Sequence, residues 1–242
     1  MAVSPALEVR DVRGPEELRA CQALQRRTWG ITEEGYVLPV ATMAGAQKVG
    51  GLVLGAFQGQ RLVGFSFAFL GRLRGELVLY SQLTAVDPQL QGGGIGRLLK
   101  FEQRRRAQAM GVASVVWAFD PLQASNAHFN LVVLGATSRT YEIDLYGSRT
   151  DPLNVGLATD RLLAEWSTHS ESHPLWEPVP GCITVEIPAN VAQLKAMSPE
   201  QAMRYQLNVR EELTRAFEHG YVAVGFSRAD PEHPCYLLQR PA

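Results

Sequence analysis

The sequence predicts an α/β (α+β) fold, a mixed sheet flanked by helices. Three observations predict it. Apolar, β-branched runs alternate with segments of helical periodicity through most of the 242 residues. Two of those runs are joined by the short turn Gln58-Gly59-Gln60, which makes a hairpin. A third run, Glu76 to Val86, feeds a glycine-rich turn that opens directly into a helix.

Taken in order, Leu7 to Val12 alternates as a strand, and Gly14-Pro15-Glu16-Glu17 opens a helix to about Trp29, with proline and acids in the first turn. A second, weaker helix spans Pro39 to Lys48 and stops at Gly50-Gly51. The hairpin follows, Leu52–Phe57 and Arg61–Leu70, and then the strand Glu76–Val86. A helix from Arg97 to Met110 is closed by Gly111, and Ala113 to Phe119 is a buried strand stopped by Asp120-Pro121. Ser125 or Asn126 caps a helix that runs to Leu134. Thr137–Tyr146 and Arg161–Trp166 are strands, and Ser167 to Pro180 reads as a linker. Beyond it lie a strand at Ile183–Pro188, a helix from Ser198 to about His219, and the strands Tyr221–Ser227 and Cys235–Gln239. This gives a domain over 7–168 and a β-α-β-β extension over 181–242.

The turn carries the chemistry. Asp87-Pro88 stops the strand, because proline offers no ladder donor and restricts its neighbour. Gly92, Gly93, Gly94 and Gly96 surround Ile95, and a helix starts there. A helix start leaves backbone N–H groups unpaired and carries partial positive charge, so a phosphate is its natural ligand. Glycines let the main chain approach that ligand closely. Arg97, Lys100 and Arg104 share one helix face and are placed to hold further phosphate charge. The P-loop pattern fails at Arg97-Leu98, and G-x-G-x-x-G fails from both Gly92 and Gly93. What remains is Gln91-x-x-Gly94-x-Gly96.

Composition narrows the class. Hydrophobic residues make up 46%, enough for a sizeable core. Lys+Arg number 23 against 24 Asp+Glu, which gives no electrostatic case for a nucleic-acid partner. The 3 cysteines, Cys21, Cys182 and Cys235, are scattered, so neither a disulfide framework nor a zinc site is expected. His169 and His173 stand four apart in the Ser/Pro-rich linker and read as solvated, so no metal is expected. No secretory signal or membrane-length apolar run is visible, and a cytoplasmic location is the expectation.

The Gln91-x-x-Gly94-x-Gly96 loop, with the element order from Leu7 to Trp166, resembles the acetyl-CoA-binding domain of the GNAT superfamily of N-acetyltransferases. Gln123 to Asn130, Leu134-Gly135-Ala136 and Asp160 to Trp166 look like an uncharacterised bacterial branch of predicted acetyltransferases in it. The resemblance implies a mostly antiparallel sheet whose central strands, Glu76–Val86 and Ala113–Phe119, splay apart. It implies acetyl-CoA as co-substrate, with its pantetheine arm against the backbone of Thr84 and Val86. Its pyrophosphate would rest on Gly92, Gly93, Gly94, Ile95 and Gly96 beside Gln91 and Arg97. Asn126 and Asn130 would face the cofactor. A primary amine of a small molecule would attack the thioester directly. The family's tyrosine acid falls on Leu131, so the resemblance implies no acid there. Asp120 and His128 are the first candidates for proton transfer, followed by Tyr141. A CoA-binding regulatory module without catalysis, or a protein N-acetyltransferase, are the alternatives. The tail is open to three roles: extending the sheet, covering an acceptor site, or mediating a homodimer.

Overall fold

The structure is a computed structural model that describes residues 6–151, 154, 156–169, 177 and 179–241. His173 and most of the expected linker lie outside them. The fold is mixed α/β, a mostly antiparallel sheet flanked by helices. Its contacts divide the chain into two compact units. One is built from the chain up to Val116, the other from Trp117–Thr150 and from Asn154 onward.

The first unit contains β1 (Leu7–Asp11), α1 (Gly14–Trp29), α2 (Val40–Lys48), β2 (Leu52–Gln58), β3 (Arg61–Leu73), β4 (Glu76–Val86) and α3 (Ile95–Ala109). β5 (Ser114–Phe119) begins here, and its last three residues belong to the second unit. β1, β2, β3 and β4 pair antiparallel in sequence order; the β2–β3 and β3–β4 connections are short turns, while α1 and α2 lie between β1 and β2. β4 then pairs with β5 in parallel, Val78–Tyr80 against Ser114–Val116. α3 is the crossover that a parallel pair requires.

The core of this unit explains its helices. Leu18, Cys21 and Leu24 recur at helical spacing on α1 and are buried against Val53, Phe57, Phe65, Phe67 and Ala85 of the sheet. Each such leucine or phenylalanine contributes roughly 1.5–3 kcal/mol by leaving water. Burial also pushes the Cys21 thiol up to about 12, so it is an inert core residue.

The second unit adds α4 (Ala124–Ala127), β6 (Thr137–Glu142), β7 (Arg161–Ser167), β8 (Ile183–Glu186), α5 (Val191–Met197), α6 (Pro199–Glu218), β9 (Val222–Ser227) and β10 (Cys235–Gln239). Its strands run in the order β7-β6-β9-β10-β8. Phe226 and Tyr236 stack edge-on, and the Tyr236 hydroxyl, fully buried, donates to the Pro121 carbonyl at 2.7 Å. The tail therefore extends the strand order of this unit through β9, whose Ala223 pairs with Ser138 of β6.

Four local expectations need correction. The helix after Pro121 starts at Ala124, with Gln123 at its cap, so neither Ser125 nor Asn126 caps it. It also loosens into a π turn over His128–Val133. β6 stops at Glu142, because Asp144 turns the chain at φ 48 with its carboxylate holding the Thr159 amide. α5 was not foreseen: its seven residues show too little periodicity, although Asn190 caps it by accepting from the Gln193 amide at 3.0 Å.

Candidate functional site

The glycine turn of the first unit is built from both ends. The buried Asp87 carboxylate accepts from the Gln89 amide and pairs with Arg61 at 2.7 Å. The Gln89 N–H and then the Arg61 guanidinium hold this carboxyl below its usual range. The Asp87 amide donates to the Val63 carbonyl at 2.9 Å. In an antiparallel ladder the direction of the main-chain groups alternates. Thr84 and Val86 therefore turn their main-chain groups away from β3, on the side where the ladder with β5 covers only Val78–Tyr80. The Val86 carbonyl is already used: it accepts from the Thr28 hydroxyl at 3.2 Å and from Gln91 Nε2 at 3.3 Å. Gln91 thus braces the turn from inside.

From Gln91 to Gly94 the turn is exposed. Gly92 and Gly94 take φ of 79 and 83, and a β-carbon at either position would meet no atom within 4 Å. Both need the left-handed conformation, and both leave open space above the main chain. Gly94 is the N-cap of α3, with no side chain capping the helix. Leu98 makes the first helical bond, to the Gly94 carbonyl at 3.0 Å. Among the described residues the amides of Ile95, Gly96 and Arg97 therefore have no protein acceptor, as a helix start dictates. Arg97 is exposed, its guanidinium 5.3 Å from the centre of the Phe101 ring.

Lys100 does not join Arg97 at this turn. It is 5% exposed, and its Nζ donates to Ser81 Oγ at 2.8 Å, which donates in turn to Gln103 Oε1 at 2.8 Å. Burial pulls its pKa down to about 7. Helical spacing alone grouped Lys100 with Arg97. Three residues of a helix leave its side chain about 60° round from that of Arg97, on the side that faces Ser81 of β4. Two buried hydroxyls, Ser66 Oγ and Thr84 Oγ1, are cross-strand neighbours and lack a hydrogen-bond partner among the described residues. Sequence reading missed this polar layer, since its serines and threonine sit in a run that reads simply as strand.

The proton-transfer candidates and the two asparagines all lie in the second unit. Asp120 accepts from the Leu122 amide at 2.9 Å, and burial raises its pKa. Burial and then the Arg228 charge lower the pKa of His128, which favours the neutral ring. Tyr141 donates its hydroxyl to Asp160 at 2.7 Å, and burial followed by that carboxylate raises its pKa. Asp160 is shared with Arg210, whose Nε and Nη2 reach it at 2.9 and 3.0 Å, and with the Asp144 amide at 3.1 Å. Asn130 is buried, its Oδ1 accepting from Trp117 Nε1 at 3.2 Å, while Asn126 is exposed. Leu131, where the resemblance would put a tyrosine, is fully buried. Among the described residues no cluster of three His, Cys, Asp or Glu side chains is arranged to hold a metal, and no helix is long and apolar enough to cross a membrane.

No protein-family model matches the sequence, and no curated protein does. Solved structures match the fold. The ribosomal-protein-S18-alanine N-acetyltransferase of Escherichia coli is 17% identical, with a TM-score of 0.51 over 71% of this chain and 100% of its own. The GNAT-family acetyltransferase of Streptococcus pneumoniae gives 0.53 at 14% identity, over 67% and 99%. Salmonella typhimurium yncA, solved with its cofactor acetyl-CoA, gives 0.52 at 16% identity, over 70% and 98%. The likeness at these identities is one of architecture: the chain has the GNAT-like fold.

Proposed function

We propose that this protein is an acetyl-CoA-dependent N-acetyltransferase that moves an acetyl group to a primary amine of a small molecule. One observation carries the reading. On a GNAT-like fold, the turn before α3 presents the amides of Ile95, Gly96 and Arg97 without protein acceptors among the described residues, over glycines that leave the approach open. Such a turn fits a diphosphate, with Arg97 beside it. Gln91, fixed on the Val86 carbonyl, shapes the turn. The main-chain groups of Thr84 are oriented to pair with an extended arm lying along β4.

In the transfer, the neutral amine forms the new N–C bond at the thioester carbonyl, and the C–S bond breaks. The amine gives up one proton and the departing thiolate takes one. His128, its neutral ring favoured, suits the role of acceptor for the amine proton. Asp120, with its raised pKa, suits a group that holds a proton longer than an ordinary carboxyl. Tyr141 is the weakest of the three, because its hydroxyl is already given to Asp160.

A second reading is favoured by Leu131 and by the engagement of Tyr141: a CoA-binding module without turnover. Calorimetry with acetyl-CoA and with CoA, followed by release of free thiol across an amine panel, separates the two. Binding with amine-dependent thiol release is the expected result. Binding without turnover across the panel would favour the module, and no binding of either nucleotide would overturn both. A protein acceptor, as in the Escherichia coli structure, is tested by adding peptides with free N-termini to the panel.

A further inference from the structure

A cavity of about 490 Å³ lies within the second unit, where the start of α4 meets the start of α5 and the β9–β10 loop. Its size falls in the range of small-molecule sites, roughly 300–1,000 Å³. Val191, Pro231 and Pro234 give it apolar walls, and Gln123, Ser125 and Arg228 bring polar groups to it. Arg228 is the one charged residue among those that line it.

That charge is held in place. Arg228 Nη2 donates to the Ala124 carbonyl at 2.7 Å, which ties the guanidinium to the first residue of α4. One bond uses one of five N–H donors, and the rest have no protein acceptor among the described residues. The Gln123 carboxamide and the Ser125 hydroxyl also make no protein hydrogen bond among the described residues. Of the acids around the β9–β10 loop, Asp230 accepts from the Glu232 amide at 3.0 Å, and Glu186 pairs with His233 at 3.0 Å. An exposed cation anchored by one hydrogen bond, two uncommitted polar groups and an apolar wall describe a site for one chemical class.

We infer that this cavity binds a small carboxylate with an apolar body: the carboxylate on Arg228, an amide or hydroxyl on Gln123 and Ser125, and the body against Val191, Pro231 and Pro234. The inference does not depend on acetyl transfer and stands if the turn before α3 binds no nucleotide. Planar guanidinium–carboxylate pairing supplies the orientation.

The test is titration of the full chain with hippurate, with benzoate and with uncharged benzamide, followed by calorimetry and by amide chemical shifts. Hippurate is expected to saturate, benzamide is not, and the shifts should cluster at residues 123–125, 189–191 and 228–234. Arg228→Gln should weaken hippurate at least about tenfold, and Arg228→Lys by less, because a lysine keeps the charge but not the fork. Ser125→Trp fills the mouth without touching the Arg228–Ala124 bond and should weaken hippurate as well, with circular dichroism unchanged. The inference is overturned if hippurate fails to saturate by about 10 mM, if benzamide binds as well, or if a folded Arg228→Gln or Ser125→Trp variant binds hippurate as the parent does.

Discussion

The turn before α3 and the Asp160 cluster handle polar atoms in opposite ways. At the turn, consecutive amides have no protein acceptor among the described residues, and no described atom would meet a β-carbon at Gly92 or Gly94 within 4 Å. At Asp160, a side chain with no exposed surface accepts from Tyr141, from two nitrogens of Arg210 and from the Asp144 amide. The first arrangement costs little while water covers it and gains when an anion replaces the water. The second is desolvated and closed, and it is stable only while every partner stays. Unmet groups at the surface mark a place for a ligand, whereas met groups in the interior mark scaffold. By that reasoning Tyr141, for all its chemical ability, belongs with the scaffold.

Breaking the closed region should have the largest effect. Asp160→Ala leaves the Arg210 charge and the Tyr141 hydroxyl without their shared acceptor and should cost about 3–5 kcal/mol in urea unfolding. Second is the buried Lys100. Its folded pKa of about 7 lies below the value of an unfolded lysine, so the unfolded chain holds the extra proton above pH 7. Stability should therefore climb as pH rises from about 7 to 8.5, by about 2 kcal/mol from this group. Cys21 acts in the opposite sense only above the ordinary thiol range, so it leaves that window clear. Lys100→Met should flatten the slope, and an unchanged slope in the variant would refute the assignment.

The open region predicts a smaller and different loss. Gly94→Val puts a branched side chain at φ 83 into the free space over the amides, and CoA affinity should fall at least about tenfold, or ~1.4 kcal/mol, by calorimetry. Gly94→Asn, which tolerates that conformation better, should keep the fold and show how much of the loss is steric. The smallest effect on ligand handling is expected of Tyr141→Phe. It should cost about 1–2 kcal/mol of stability while leaving acetyl transfer within about twofold. A collapse of turnover with intact CoA binding would move Tyr141 from scaffold to chemistry.

Much of this was legible in the residues. Periodicity and the glycine spacing located most strands and helices to within a few residues, because apolar burial writes a period of two or 3.6 into the chain. The turn was legible because a cluster of glycines between an apolar strand run and a helical run marks a place where the main chain needs positive φ or close approach, as Gly92 and Gly94 show. What could not be read is pairing across distance. Nothing near Asp160 in the sequence announces Arg210. Nothing near Lys100 announces Ser81, whose hydroxyl lies on an ordinary strand. The cavity at Arg228 was equally hidden, since its walls come from three separate segments, the outer two bridged by a bond between residues 104 apart, and share no motif. Short helices were also lost: α5 has one capping asparagine and too few turns to show a stripe.

The Asp160–Arg210 pair spans 50 positions of sequence, and Gln206 of α6 likewise clamps both the amide and the carbonyl of Ala158. During synthesis the carboxylate thus emerges well before the guanidinium that neutralises it. Until α6 has left the ribosome, the Asp160 carboxylate has only the Tyr141 hydroxyl and the Asp144 amide to accept from, with no cation to offset its burial, which disfavours closure of β6 and β7. A chain released early, before α6 is complete, should therefore stay open in this half and be cleared by proteases, rather than persist as a smaller folded protein.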